Sequence, residues 1–186
     1  MEIRELDIKG VFEIFLKPIE DERGFFMRTF DSSIFERFKI NKNWVQHNHS
    51  KSIYSGVIRG LHLQLPPFSE AKLVQCIKGE ILDVFVDLRL DSISFGKWDK
   101  IVLSEKNKKV LFIPEGFAHG FCTLSDFTEV TYKVNNYYSK MHEVGLLWND
   151  PDIGIDWPDY KYTISEKDKE NITLKNFIKN YNGIKI

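Results

Sequence analysis

The sequence predicts an all-β sandwich or barrel with short helices at its edges. Short runs of alternating or continuous apolar residues recur between Val11 and Trp148, and glycine and proline residues separate them. These runs are GVIRGLHLQL from Gly56, AKLVQCI from Ala71, EILDVFVDLR from Glu80, KKVLFIP from Lys108 and EVTYKVNNYY from Glu129. Helical character is confined to SSIFERFK from Ser32 and to a C-terminal segment at about 165–186, which we expect in pieces.

The composition indicates one globular domain over residues 1–186. Apolar residues make up 42% of the chain and aromatic residues 14%, which is enough for a sizeable core. The formal charge of -1 argues against a nucleic-acid-binding protein, because such proteins usually carry a basic excess. There is no apolar run long enough for a membrane span and no apolar core of a signal peptide, so we expect a cytoplasmic protein. Cys76 and Cys122 lie in apolar runs, which favours buried free thiols over a disulfide.

The period of two residues in β-strands assigns side chains to faces. The predicted shared faces are Ile58, His62 and Gln64; Lys72, Val74 and Cys76; and Val130, Tyr132 and Val134. Each face combines apolar residues with one or two polar or ionisable groups. An apolar barrel interior with a few convergent polar groups favours a small-molecule site.

Two segments have the spacing of cupin barrels, in which two motifs usually supply metal ligands. The string IPEGFAHGF matches the second motif, Pro-x-Gly-x-x-His, and ends it at His119. The first motif usually contains His-x-His, but here His62 is followed by Gln64, and Lys72 lies near the expected acidic ligand. An ammonium cannot bind a divalent cation, and a carboxamide replaces an imidazole poorly. The sequence therefore predicts a cupin barrel without a metal.

The remaining inward groups suit proton abstraction beside a carbonyl. His62 can act as a general base near neutral pH, and Tyr132 can deliver a proton to the opposite face of a carbanion. The ammonium of Lys72 can stabilise an enolate oxygen as it forms. Each residue alone also fits a structural role: a hydrogen-bonded core histidine, a packed tyrosine or a solvent-facing lysine. The chemical interpretation needs all three residues together.

Ten short strings occur in an order and spacing that resemble the dTDP-4-dehydrorhamnose 3,5-epimerase family across nearly the whole chain. They are DERGFF from Asp21, QHNHSKS from Gln46, RGLHLQ from Arg59, AKLV from Ala71, DVFVDLR from Asp83, FGKW from Phe95, IPEGFAHGF from Ile113, TYKVNNYYS from Thr131, LWNDPDIGIDWP from Leu147 and SEKD from Ser165. The resemblance implies a jelly-roll cupin that works as a homodimer, needs no cofactor and binds a nucleotide-sugar substrate. The usual setting of the family is the synthesis of cell-surface polysaccharides.

The resemblance also implies roles for site residues. It makes His62 the base, hydrogen-bonded to Asp168, with Tyr132 as the opposing acid and Lys72 facing the C4 oxygen. Residues matching substrate-binding positions are Arg23 and Arg59 for the diphosphate, Gln46 and Asn48 for the nucleotide, His119, Glu143 and Lys167 for further contacts, and Phe26 and Tyr138 as aromatic surfaces. From the residues alone, Ser165-x-x-Asp168 is more typical of a helix N-terminal cap. The resemblance reverses that preference.

One position departs from the family. Arg28 stands where the family usually has a glutamate that helps place the nucleotide end of the substrate. The expected reaction is epimerisation at C3 and C5 of a nucleoside-diphosphate 4-keto-6-deoxyhexose, with dTDP as the default carrier. The alternatives are an epimerase that inverts only one of these carbons, an enzyme that uses another carrier such as CDP, and a non-catalytic sugar-binding cupin.

Overall fold

The computed structural model describes residues 1–186 and contains two β-sheets that face each other. The first sheet contains, in spatial order, β1 (Glu2–Glu5), β2 (Phe12–Phe15), β10 (Lys109–Ile113), β7 (Lys72–Lys78), β12 (Thr128–Val134) and β5 (Gln46–Ser52). The second contains β13 (Glu143–Gly145), β6 (Val57–Gln64), β11 (Phe117–Thr123), β8 (Glu80–Asp87) and β9 (Trp98–Ser104), with β14 (Thr163–Ile164) paired in parallel to β6. Strands β3 (Ile19–Asp21) and β4 (Gly24–Phe26) form a separate hairpin. This jelly-roll sandwich confirms the predicted fold class.

Short helices lie in both regions where the sequence predicts them. Helix α1 spans Ser32–Arg37, and the C-terminal segment contains α2 (Glu166–Lys169) and α3 (Leu174–Tyr181). None of the three helices is long and apolar enough to cross a membrane.

Three apolar layers hold the sheets and helices together. The central layer lies between the sheets and includes Val74 and Leu111 from the first sheet and Phe85 and Phe117 from the second. Helix α1 covers the outer face of the first sheet, and the chain after β13 covers the outer face of the second. Burial on both faces explains why the strands read as nearly continuous apolar runs.

A β-bulge in β6 decides which side chains enter the space between the sheets. Arg59 pairs with Phe121 and His62 with His119, so three steps along β6 oppose two along β11. The extra residue turns Arg59 and His62 toward the same side although they are three positions apart. Ile58 also borders the larger cavity, but it packs into the outer layer beneath the C-terminal segment. The predicted shared face of Ile58 with His62 is therefore wrong.

The other two predicted faces are confirmed. Val74 and Cys76 of β7 pack with Val130 of β12 between the sheets, and Lys72 and Tyr132 of the same strands line a cavity there. The two cysteines, Cys76 and Cys122, are buried and unpaired, as the sequence predicts. Burial raises the pKa of the Cys76 thiol to about 12 and that of Cys122 to about 11, so both thiols remain protonated near neutral pH.

Candidate active site

Two adjoining cavities between the sheets, of about 500 and 390 Å³, form the candidate active site. Both are lined by His62, Lys72 and Tyr132. Other predicted site residues line one cavity or the other: Arg59, His119, Lys167 and Asp168 in the larger, and Gln46, Asn48, Tyr138 and Glu143 in the smaller. The fold thus brings eleven of the fourteen predicted residues to one place.

His62 on the second sheet pairs with Asp168 of α2. The His62 Nε2 lies 2.6 Å from the Asp168 Oδ1, and the other carboxylate oxygen accepts a hydrogen bond of 3.2 Å from the Gly60 N–H. The backbone N–H of Asp168 donates to the Ser165 side chain, which caps α2. Both sequence interpretations of Asp168 are therefore realised, because its backbone takes part in the cap while its carboxylate holds the histidine.

The environment of Asp168 favours its charged form. Burial opposes ionisation, since the residue is only 4% exposed. The hydrogen bond and the charge of His62, together with the Gly60 and Ser165 contacts, outweigh burial and hold the pKa of Asp168 below its usual value. An ionised Asp168 accepts a hydrogen bond from the Nε2–H of a neutral His62, which leaves the Nδ1 lone pair of the ring free to act as a base.

Tyr132 and Lys72 lie on the first sheet, opposite His62. Lys72 is only 7% exposed, and its Nζ lies 3.1 Å from the Glu70 Oε1. Burial raises the pKa of Tyr132, the charges of Glu70 and Glu143 raise it further, and Arg59 opposes them. The phenol is therefore protonated at neutral pH and can donate a proton.

Gln64 occupies the position at which a cupin usually carries its second histidine. Its Nε2 lies within 3.1 Å of the Phe68 and Tyr137 carbonyls and of Glu70, and its Oε1 accepts a hydrogen bond from the Ser139 N–H. These contacts tie two loops to β6. No group of three or more His, Cys, Asp or Glu side chains is arranged to hold a metal ion.

A second histidine–carboxylate pair borders the larger cavity through His119. The His119 Nε2 is 2.9 Å from both carboxylate oxygens of Asp83, which is fully buried. Burial raises the pKa of Asp83, and His119 and Lys72 partly oppose that effect. Sequence reasoning missed Asp83, although a carboxylate flanked by apolar residues in β8 was a usable signal.

A polar network borders the smaller cavity. Glu143 accepts hydrogen bonds from the Lys167 ammonium at 2.5 Å and from the Tyr138 hydroxyl at 2.8 Å. Burial opposes the ionisation of Glu143, but Lys167 and Tyr138 lower its pKa overall. The Gln46 side chain accepts a hydrogen bond from the Tyr138 N–H at 2.9 Å. These predicted contact residues therefore form one connected group.

Three predicted substrate contacts lie outside both cavities. Arg23 and Phe26 belong to the β3–β4 hairpin, where Arg23 pairs with Asp21 and Phe26 is 67% exposed. Arg28 makes an ion pair of 3.3 Å with Asp31, the N-cap of α1. The β3–β4 hairpin forms a two-stranded sheet of its own, so the three residues lie apart from the cavities of this chain, and their role as substrate contacts stays a prediction.

The chain is similar in sequence to known enzymes. A family model described as dTDP-4-dehydrorhamnose 3,5-epimerase matches residues 5–176. An enzyme of that name from Shigella flexneri is 51% identical over 169 residues, which cover 90% of this chain and 93% of the relative.

Solved structures extend the likeness to the whole sandwich. A dTDP-6-deoxy-D-glucose-3,5-epimerase from Legionella pneumophila, in complex with dTDP-4-keto-L-rhamnose, superposes with a TM-score of 0.93 and 38% identity. That alignment covers 100% of this chain and 98% of the other. A 3'-monoepimerase from Streptomyces bikiniensis, in complex with dTDP-quinovose, has a TM-score of 0.91, 27% identity and coverage of 97% and 92%. The chain therefore belongs to the dTDP-4-dehydrorhamnose 3,5-epimerase family.

Proposed function

We propose that the chain converts dTDP-4-dehydro-6-deoxyglucose to dTDP-4-dehydrorhamnose by inverting C3 and C5. The observation that carries this proposal is the placement of a base and an acid on opposite walls of one cavity. His62, held by Asp168, lies on the second sheet, and Tyr132 lies on the first. Inversion at carbon requires removal of a proton from one face and delivery to the other, which two opposed groups provide.

The first step is abstraction of a proton beside the C4 ketone. The ketone acidifies C3 and C5 alike, so one base can serve both carbons in turn. The Nδ1 of His62 removes the proton, and Asp168 stabilises the imidazolium that results, because its carboxylate already accepts the Nε2–H. The electron pair of the broken C–H bond moves into an enolate.

Lys72 stabilises the enolate oxygen. Its ammonium is nearly excluded from water and lines both cavities. A fixed positive charge stabilises a developing negative charge more strongly in such a site than in water, because no solvent has to reorganise as the oxygen becomes negative. Tyr132 then donates its phenolic proton to the opposite face of the carbon, which completes the inversion.

The nucleotide end of the substrate has a separate set of partners. The guanidinium of Arg59 suits phosphate oxygens, and its present partners are the Ser52 hydroxyl and the Lys51 carbonyl. Gln46 and Asn48 project from β5 into the smaller cavity, and Tyr138 lies beside them with an exposed ring. These residues offer hydrogen bonds and a stacking surface for a base and ribose.

A homodimer would reconcile the predicted roles of Arg23, Phe26 and Arg28 with their positions. The β3–β4 hairpin exposes Ile19, Phe25 and Phe26 at 72%, 53% and 67%. Such an apolar projection is typical of a segment that packs on another subunit. We propose that each hairpin covers the site of the partner subunit and brings Arg23 to its diphosphate.

The cytoplasm is the proposed location. Buried, unpaired Cys76 and Cys122 suit a reducing compartment. The substrate of the proposed reaction is a precursor for cell-surface polysaccharides, which the family resemblance implies.

Proton NMR in deuterated water tests the reaction. The chain should exchange the C3 and C5 protons of dTDP-linked 4-keto-6-deoxyglucose, and the CDP-linked sugar should react more slowly. Exchange confined to C3 would favour the monoepimerase alternative, which the Streptomyces bikiniensis structure supports through its similar fold. Preference for the CDP-linked sugar would overturn dTDP as the carrier, and no exchange with either sugar would overturn the epimerase proposal.

A further inference from the structure

Glu70, two residues before β7, links Lys72 of the first sheet to Gln64 of the second. One carboxylate oxygen is 3.1 Å from the Lys72 Nζ, and the other accepts a hydrogen bond of 3.1 Å from the Gln64 Nε2. The Glu70 side chain is only 12% exposed and that of Lys72 only 9%. Glu70 lines the smaller cavity but has no part in the reaction described above.

We propose that Glu70 is a positioning residue that fixes the Lys72 ammonium toward the ketone oxygen. This inference rests on the proposed function of the same site. A buried ammonium without a partner is costly, and a flexible lysine side chain has many rotamers. The carboxylate at 3.1 Å compensates the charge, and Gln64 anchors that carboxylate in turn.

The Gln64 amide, which donates a hydrogen bond to Glu70, has a fixed orientation. The Gln64 amide also contacts the Phe68 and Tyr137 carbonyls and the Ser139 N–H, so its orientation is fixed from two loops. A fixed amide holds one Glu70 oxygen and leaves the other for Lys72. The chain of contacts from Gln64 through Glu70 to Lys72 therefore defines one direction for the ammonium.

The negative charge of Glu70 also raises the pKa of Tyr132, the proposed acid opposite His62. Burial is the main cause of the raised pKa of Tyr132, and the negative charge of Glu70 is the next cause. Glu143 acts in the same direction and Arg59 in the opposite one, while Lys72 and His62 line the same cavity. Loss of the Glu70 charge should therefore make Tyr132 easier to ionise.

The test compares Glu70→Gln and Glu70→Asp in the full-length enzyme with dTDP-4-dehydro-6-deoxyglucose. Glu70→Gln keeps the size of the side chain but removes its charge, and it should lower kcat by about 10- to 100-fold, with KM within about threefold. The alkaline limb of its kcat–pH profile should move to lower pH. Glu70→Asp retains the charge, so it should keep the alkaline limb in place and lose less kcat than Glu70→Gln.

Glu115→Gln is the matched control. Glu115 also joins a lysine and an amide, with Lys42 at 2.9 Å and Asn135 at 2.8 Å, but it lies outside both cavities. This change should leave kcat and the alkaline limb as in the wild type. An unchanged kcat and alkaline limb in Glu70→Gln, or equal effects of Glu70→Gln and Glu70→Asp, would overturn the positioning role. Inactive wild-type enzyme would instead overturn the proposed function.

Discussion

Asp168 illustrates how one residue can serve both the fold and the chemistry. Its backbone N–H contributes to the cap of α2, and its carboxylate holds His62 at 2.6 Å. Because its pKa is held below the usual value, the carboxylate is ionised throughout the pH range in which a histidine titrates. A substitution that changes only the carboxylate can therefore remove the contact with His62 and retain the helix cap.

Asp168→Asn should lower kcat by about 10²- to 10⁴-fold with little change in KM. The amide cannot supply the negative charge that stabilises the imidazolium, whereas the backbone contact to Ser165 is retained. Steady-state kinetics and a thermal melt on the same sample separate the two roles.

Ser165→Ala provides the complementary variant. It removes the capping hydroxyl and should cost about 1 kcal/mol of stability while retaining most of kcat. A kcat loss in Asp168→Asn no greater than that in Ser165→Ala would show that Asp168 matters only for the helix.

Arg28 stands where the family resemblance implies a glutamate. Its guanidinium is held by Asp31, and its side chain is 65% exposed. Arg28→Glu should change kcat/KM for the dTDP-linked substrate by roughly tenfold or less and leave the ratio of C3 to C5 exchange unchanged. A switch in the preferred nucleotide would identify Arg28 as a specificity residue and would count against dTDP as the carrier.

At the level of secondary structure, the bulge in β6 has the largest consequence. It places Arg59 and His62 on one wall, and Gly60 makes it possible. Gly60 has φ +121°, and an added Cβ would lie 2.7 Å from both the Gly120 Cα and the His119 carbonyl oxygen. No other residue type fits this position without displacing β11.

Gly60→Ala should lower the free energy of unfolding by more than about 2 kcal/mol and abolish most activity, because strain and a backbone clash act together. Gly24→Ala is the control for strain alone, since Gly24 has φ +124° and nothing within 4 Å of an added Cβ. Denaturant unfolding measures both variants. Equal losses of stability would mean that the close approach of β6 and β11 contributes nothing.

The sequence predicted the strands well because apolar runs and turn residues report burial directly. It also predicted the faces of β7 and β12, where alternation is regular. It failed at Ile58 because a bulge reverses the alternation, and one inserted residue leaves no mark on an apolar pattern. Glu70 was missed although it lies two positions before Lys72, the spacing that places two strand residues on one face.

At the scale of the whole molecule, the β3–β4 hairpin and the active-site cavities are separate parts of one chain. Arg23 and Phe26 could be predicted as substrate contacts only by family resemblance, and the placement proposed for them at the site of another subunit depends on an assembly that one sequence does not describe. The proposed homodimer has a specific consequence, because each site would combine His62 of one chain with Arg23 of the other.

Mixing inactive subunits tests this arrangement. His62→Ala and a variant with both Arg23→Ala and Phe26→Ala should each be nearly inactive. After unfolding and refolding together, heterodimers should contain one intact site, which restores about a quarter of the wild-type activity. Activity no higher than the sum of the two separate variants would place each hairpin at the site of its own chain or at none.

The opposed placement of His62 and Tyr132 is tested most directly by following exchange and inversion in one NMR sample. Tyr132→Phe should still exchange the C3 proton with deuterated water, because His62 remains, but inverted product should fall by about 10²-fold or more. His62→Ala should lose both exchange and inversion while keeping the native fold. Parallel loss of exchange and inversion in Tyr132→Phe, or exchange at the wild-type rate in His62→Ala, would contradict the two-wall mechanism.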